Sequence, residues 1–248
     1  MAGHSKWANI KHRKARQDAV KGKNWSKCSR AIMVAVRNGS PDPTMNLTLR
    51  YAIEEARACN MAKDTIEKAI KKASGEGDNA AKYEETRYEG YGTGGVAIIV
   101  DCLTDNVNRT APEMRKIFEK GGGNLAKPGA VSFGFTSKGV IIIEASATDE
   151  ESLMDLVLEA GADDVNDIGG AWEVTCDPAT FLTVKDAIDA KEIPAVSAAV
   201  TMIPSTMVDC DHTAASKVLR LLEELEDHDD VQKVYCNADM PDDLGAGA

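Results

Sequence analysis

Charge is distributed so unevenly along this chain that a single evenly mixed globule cannot accommodate it. Lys6, Lys11, Arg13, Lys14, Arg16, Lys21, Lys23, Lys27, Arg30 and Arg37 put ten cations into the first 37 residues, where Asp18 is the single acid. That segment stands at +9 in a chain of net charge −11, so the other 211 residues carry −20. No packing requirement produces this separation. Trp7 and Trp25 lie among the cations, with His4 and His12 beside them. A dense cationic arm interleaved with aromatics has the composition of a surface that meets a polyanion.

The remaining composition narrows the classes. At 248 residues and 43% apolar content the chain can build cores for two or three small units. Its longest apolar runs, such as Val96–Val100, are strand-sized and far short of the roughly 18 residues a membrane span needs. The start lacks the apolar stretch of a secretory signal, so the expectation is a cytoplasmic protein without a membrane partner. The six cysteines are scattered, with no C-x-x-C pair, and no metal is expected. Asp209-Cys-Asp-His212 gathers three ligand types where a helix should begin, and Asp211 or Thr213 as a helix cap is the simpler reading.

Apolar periodicity organises the rest. Trp25, Cys28, Ile32, Ala35 and Val36 share one helical face, followed by Asn38-Gly39 as a stop. Leu49, Ala52, Ile53 and Ala56 stripe a second helix. A third is expected from Asp64 as N-cap, with Glu67 three residues on and Gly75 behind it. Ser74–Lys82 has linker composition, and charge changes across it, from +8 over residues 1–80 to −19 over 81–248. Beyond it come strand Val96–Asp101, a helix capped by Thr110 with Glu113, strand Ala130–Phe135, strand Val140–Glu144 and a helix capped by Thr148. Continuing through Asp164–Ile168, Trp172–Cys176, the helix after Asp177-Pro178 and Val196–Ile203, residues 138–204 form a βαββαβ, ferredoxin-like pattern. Helix Thr213–Glu226 and strand Val231–Cys236 have no sheet of their own and should return to complete the 81–137 unit.

The expected fold class is therefore α+β in three domains. A basic arm plus three-helix bundle (1–80) precedes two ferredoxin-like α/β domains, one of 81–137 with 205–240 and one of 138–204 inserted in it. A disordered tail over 241–248 completes the chain.

Several segments, taken together, resemble a known family. Met1-Ala-Gly-His-Ser-Lys-Trp-Ala-Asn-Ile-Lys-His-Arg-Lys14, Asn60-Met61 with Lys63-Asp64, Ala69-Ile70-Lys71-Lys72, Tyr88-Glu-Gly-Tyr-Gly92 and Leu103-Thr-Asp-Asn106 with Asn108-Arg109-Thr110 are similar to the signature segments of the YebC/PmpR family. The resemblance spans nearly the whole chain. It implies three domains, no known catalytic activity, and a role either as a DNA-binding transcriptional regulator or as a factor acting on translation at the ribosome, as the mitochondrial members do. Val107 departs from the family pattern, in which an Arg is usual, and so do Ala62, where a Pro is usual, and Leu125–Gly129, which replaces a more Gly-rich turn.

Lys and Arg neutralise phosphates and aromatic rings stack on exposed bases, so the candidate nucleic-acid-binding residues are Lys6, Trp7, Lys11, His12, Arg13, Lys14, Arg16, Lys21, Lys23, Lys27 and Arg30. Trp25 lies on the apolar stripe and reads as an anchor; Trp7 could be either. Gly90-Tyr-Gly-Thr-Gly-Gly95 matches G-x-G-x-x-G by letters but leads into a strand rather than a helix, so a glycine-rich turn is expected and no cofactor. Arg109, at a helix start, could hold a phosphate but reads first as a loop organiser. No catalytic constellation can be assembled from the linear motifs. Three classes remain: a non-enzymatic regulator that binds DNA or RNA, the ribosome included; an enzyme with a spatially assembled site; and a scaffold whose arm or acidic domains bind protein partners.

Overall fold

The computed structural model describes residues 21–75 and 83–241. The expectations placed on the arm up to residue 20, on the body of the linker and on the tail from 242 lie outside these residues. The chain is α+β, and its described residues fall into two compact units. One holds residues 21–75, 83–132 and 216–236; the other holds 133–215 and 237–241.

In chain order the first unit begins with α1 (Lys21–Arg37), α2 (Leu47–Ala58) and α3 (Lys63–Ser74), then β1 (Glu84–Tyr91), β2 (Ala97–Thr104), α4 (Val107–Lys120) and β3 (Asn124–Leu125). The second is built from β4 (Phe135–Glu144), α5 (Glu150–Glu159), β5 (Ala162–Asp167), β6 (Ala171–Cys176), α6 (Phe181–Ala190), β7 (Ala195–Pro204) and β8 (Val208–Asp209). Helix α7 (His212–Glu226) then leads to β9 (Val231–Cys236) and β10 (Ala238–Asp239).

The helical trio closes over Ile32, Val36, Leu49, Ile53, Ala56 and Ile66, whose three- and four-residue spacings put them on facing stripes. One buried amide fixes the α1–α2 corner. Asn46 accepts the Leu49 N–H at 3.0 Å and donates to the Ala35 and Ser40 carbonyls, each at 2.8 Å. Helix α3 starts one residue before the expected cap: Ala62 occupies the N-cap position without a side-chain bond, and Asp64 lies in the first turn, where its charge suits the helix dipole.

The first sheet runs β3-β1-β2-β9, all antiparallel. Its leading strand β1 is missed by periodicity because Glu84-Glu85-Thr86-Arg87 is polar; only its second half is buried. The order is that of a ferredoxin-like sheet whose third strand has moved to the front of the chain. Gly90 is where α4 crosses closely. A Cβ there would stand 2.5 Å from Phe118 Cε1 and 2.6 Å from the Asn124 carbonyl oxygen. Within the glycine run, Gly94 and Gly95 both have φ of +78° and form a turn between β1 and β2. Gly90→Ala is expected to destabilise the protein by about 1–3 kcal/mol through overpacking, read as a lower denaturant midpoint at constant m-value.

The expected strand Ala130–Phe135 is a turn instead, and β4 starts only at Phe135. The cause is Glu89. Its buried carboxylate accepts the N–H groups of Gly129 (2.8 Å), Val131 (2.7 Å) and Ser132 (2.9 Å), which curls that backbone out of any ladder. Burial pushes the Glu89 carboxyl up, but the three N–H donors together outweigh it and hold it below the usual carboxylate range. The stabilisation this gives is present above the ordinary glutamate value of about 4.3 and is lost as pH falls through the lowered one. Wild type should therefore out-melt Glu89→Gln at neutral pH, with the gap closing in acid.

The second sheet runs β5-β6-β4-β7, again antiparallel, with α5 and α6 as its crossovers, which is the ferredoxin-like βαββαβ order. Ile141, Ile143, Leu153, Val157, Val174, Val184 and Ile188 are fully buried in it. Asp149, rather than Thr148, caps α5 by accepting the Ser152 N–H at 2.9 Å. At the Asp209–His212 stretch, Asp211 accepts the Ala214 N–H at 2.7 Å and so acts as a helix cap. No helix among the described residues is long and apolar enough to cross a membrane.

Candidate nucleic-acid interface

Of the candidate binding residues, Lys6, Trp7, Lys11, His12, Arg13, Lys14 and Arg16 lie outside the described residues. Lys21 and Lys23 occupy the first turn of α1. Lys27 and Arg30, one turn further, are held by the protein itself. The Lys27 ammonium donates to the Glu226 carbonyl at 2.6 Å, where a cation suits the C-terminal end of α7. The Arg30 guanidinium donates to the Asp229 carbonyl and to Asp230 Oδ1 at 3.4 Å, with the Tyr83 ring centroid 6.0 Å away. Trp25 is tied to the end of α2 by its indole N–H, which donates to the Cys59 carbonyl at 3.0 Å, but it is 37% exposed and stands outside the buried core face that its stripe position implies.

Arg30 ends in a hub centred on Asp230, whose side chain is only 7% exposed. Asp230 Oδ2 accepts from Thr110 Oγ1 (2.8 Å), Thr104 Oγ1 (3.0 Å) and Arg109 Nη2 (2.8 Å). Burial pushes the Asp230 carboxyl up; Arg109 and the two threonines outweigh it and hold the group below the usual carboxylate range. Arg109 also bonds Asp105 at 2.9 Å, so it organises the loop after β2. The capping role expected of Thr110 belongs instead to Asn106, which accepts the Arg109 N–H at 3.1 Å, and Thr110 is buried against Asp230. Glu113, its expected capping partner, meets His228 Nε2 at 2.9 Å.

Glu113, His228 and Asp230 bring three potential metal-ligand atoms within 4.8 Å of one another. Their bonding argues for structure instead. His228 Nδ1 accepts the Asp230 N–H at 3.1 Å, which in the neutral ring leaves the proton on Nε2 facing Glu113. Asp230 is already met by two guanidinium groups that an incoming cation would have to displace.

A further group of exposed cations lies on α3. Lys68, Lys71 and Lys72 are all exposed, and their spacing of three and four residues sets them on one face. That spacing is legible in the sequence, but the ten cations of the arm outweigh it there.

Two family models cover the chain. One, described as the TACO1/YebC protein N-terminal domain, matches residues 5–76, and another, the TACO1/YebC second and third domain, matches residues 83–238. A protein of Dictyoglomus turgidum named "Probable transcriptional regulatory protein" is 52% identical over 245 residues, 98% of each chain. A similarly named protein of Rhodopirellula baltica is 52% identical over 97% of this chain and 98% of its own. Among solved structures, a conserved hypothetical protein of Aquifex aeolicus superimposes with a TM-score of 0.79 at 42% identity, covering 92% of this chain and 93% of that one.

Proposed function

The chain belongs to the TACO1/YebC family, and on that premise we propose that it is a non-enzymatic regulator of gene expression that grips nucleic acid through its N-terminal third. The observation that carries this reading is the +9 charge of the first 37 residues in a chain of net −11. Lys6, Lys11, Arg13, Lys14, Arg16, Lys21 and Lys23 contact phosphates, with Trp7 and His12 against bases. Lys68, Lys71 and Lys72 extend the cationic surface. Lys27 and Arg30 orient α1 for this contact by tying it to the end of α7. The −19 of residues 81–248 repels phosphate and confines binding to the first domain, leaving most of the acidic surface for solubility or a basic protein partner. In this reading residues 81–137 with 205–240 and residues 138–204 are separate α/β domains.

DNA and RNA offer these cations the same phosphates, so the experiment must separate them. Labelled DNA duplex, single-stranded RNA and ribosomes are titrated at several salt concentrations. About six phosphate contacts would give a slope of log K against log[salt] near −4 on a single strand and near −5 on duplex. Tight ribosome binding beside weak, sequence-blind DNA binding would mark a translation factor. Sequence-selective duplex binding would mark a transcriptional one. Binding to none of the three would sink the proposal.

A further inference from the structure

Two of the scattered cysteines are brought together by the fold. Cys28 lies on α1, three residues after Trp25, and Cys59 is the C-cap residue of α2. Because the Trp25 indole bonds the Cys59 carbonyl, α1 passes the end of α2 at the level of Cys28, which packs on the bundle core. There the Cys28 thiol is hydrogen-bonded to the Cys59 side chain. Thirty-one residues separate the two in sequence, so no cysteine motif announces them. Both belong to the first compact unit, as does Lys233 of β9.

The bonding gives the two sulfurs different roles. The hydrogen bond to Cys59, together with burial, pushes the Cys28 thiol far up, so this group keeps its proton. Cys28 S–H is then the donor and the Cys59 sulfur the acceptor, an arrangement that favours negative charge on Cys59. Lys233, ion-paired with Glu55, adds a cation whose field reaches the pair, opposed by that of Glu55. Access differs from that of other thiols too: Cys28 and Cys59 are half-buried, whereas Cys102, Cys176 and Cys210 are buried. A partly accessible sulfur with a second thiol bonded to it has its resolving partner already in place.

We propose that Cys28 and Cys59 are a redox-active dithiol that a hydroperoxide converts into a disulfide, stapling α1 to the end of α2. The Cys59 thiolate attacks the peroxide O–O bond and takes one oxygen as the sulfenic acid. The other oxygen leaves as hydroxide or alkoxide and takes up the proton that Cys59 shed. Cys28 then attacks the Cys59 sulfur, the S–O bond breaks, and the hydroxide departs as water with the Cys28 proton. Two thiols thus lose two electrons and two protons to the peroxide, and a dithiol reductant reverses the change. Nothing in this requires that the chain bind nucleic acid.

The full chain, reduced and freed of reductant, is treated with hydrogen peroxide, alkylated under denaturing conditions and mapped by mass spectrometry. A linked Cys28–Cys59 peptide is expected, with Cys102, Cys176 and Cys210 still alkylated. The melting temperature should rise by about 5 °C, since closing a loop of this length constrains the unfolded chain, and dithiothreitol should undo both changes. Cys28→Ser should hold Cys59 as a sulfenic acid that dimedone captures, and Cys59→Ser should leave Cys28 open to alkylation. The wild-type map needs neither variant, so a misfolded variant cannot shield the proposal. Cys28 and Cys59 both alkylated after peroxide, or linked to other cysteines instead, overturns it. Sulfinic acid on Cys59 beside an unreacted Cys28 overturns the resolving role. A linked peptide without any rise in melting temperature overturns the staple.

Discussion

Replacing Lys11, Arg13, Lys14 and Arg16 together by alanine is expected to abolish most nucleic-acid binding while leaving the fold intact. Four lost phosphate contacts would flatten the salt slope on a single strand by about 3, and affinity at low salt should fall roughly a hundredfold or more. The melting temperature should stay within about a degree, because the described bundle core is made of Ile32, Leu49, Ile53, Ala56 and their neighbours. Affinity and slope come from one titration series, and the fold is checked by thermal melting. A variant that keeps its slope and affinity would remove the arm from the interface. The charge asymmetry would then have another explanation.

The largest stability effect should come from Asp230. Its carboxylate is the shared acceptor for Arg30, Arg109, Thr104 and Thr110, and removing it strips two guanidinium groups and two buried hydroxyls of an acceptor at once, leaving the hydroxyls only each other and the Asn106 backbone. Breaking a buried ion pair from one side costs on the order of 3–5 kcal/mol. Arg109 is 45% exposed and can be rehydrated, so the lower end of that range applies. Asp230→Ala should lower the melting temperature by about 10 °C, at a few degrees per kcal/mol for a body of this size. Asp230→Asn keeps one oxygen acceptor and should lose less. Because the folded carboxyl is held below its usual value, its contribution is present above a pH of about 4 and fades as pH falls through the lowered value. The difference between wild type and Asp230→Asn should therefore shrink in acid. A pH-independent difference would show that Asp230 acts by packing alone.

Part of the fold is legible in the sequence, and the reasons are physical. Helices are readable where apolar residues repeat every three or four positions, so α1 to α3 and their core faces follow from spacing alone. Return of Val231–Cys236 to the first sheet is readable because a lone strand must pair somewhere, and it pairs with β2. Strand β1 is not, since its first half is solvated and carries no alternation. The turn at Ser132–Gly134 reads as a strand because nothing local signals that a glutamate about forty residues earlier takes its N–H groups. The Asp230 hub is out of reach for the same reason. Arg30 and Arg109 lie 200 and 121 residues from it in sequence, and Asp230 is one of three aspartates within the run Asp227-His-Asp-Asp230. Local pattern exposes elements and charge; it does not expose which of several identical side chains a fold will enclose.

Pairing of β9 with β2 also sets the order in which the protein can be completed as it is made. The sheet of β4 to β7 possesses every strand once residue 204 has been synthesised. The earlier sheet does not: β2 keeps an open edge until Val231–Cys236 arrives, more than 120 residues after β2 itself is finished. A nascent chain therefore carries an unsealed apolar ladder through about half of its synthesis, a condition that invites mispairing. Truncation shortly before residue 231 should be far more damaging to the N-terminal half of the molecule than its distance along the chain would lead one to expect.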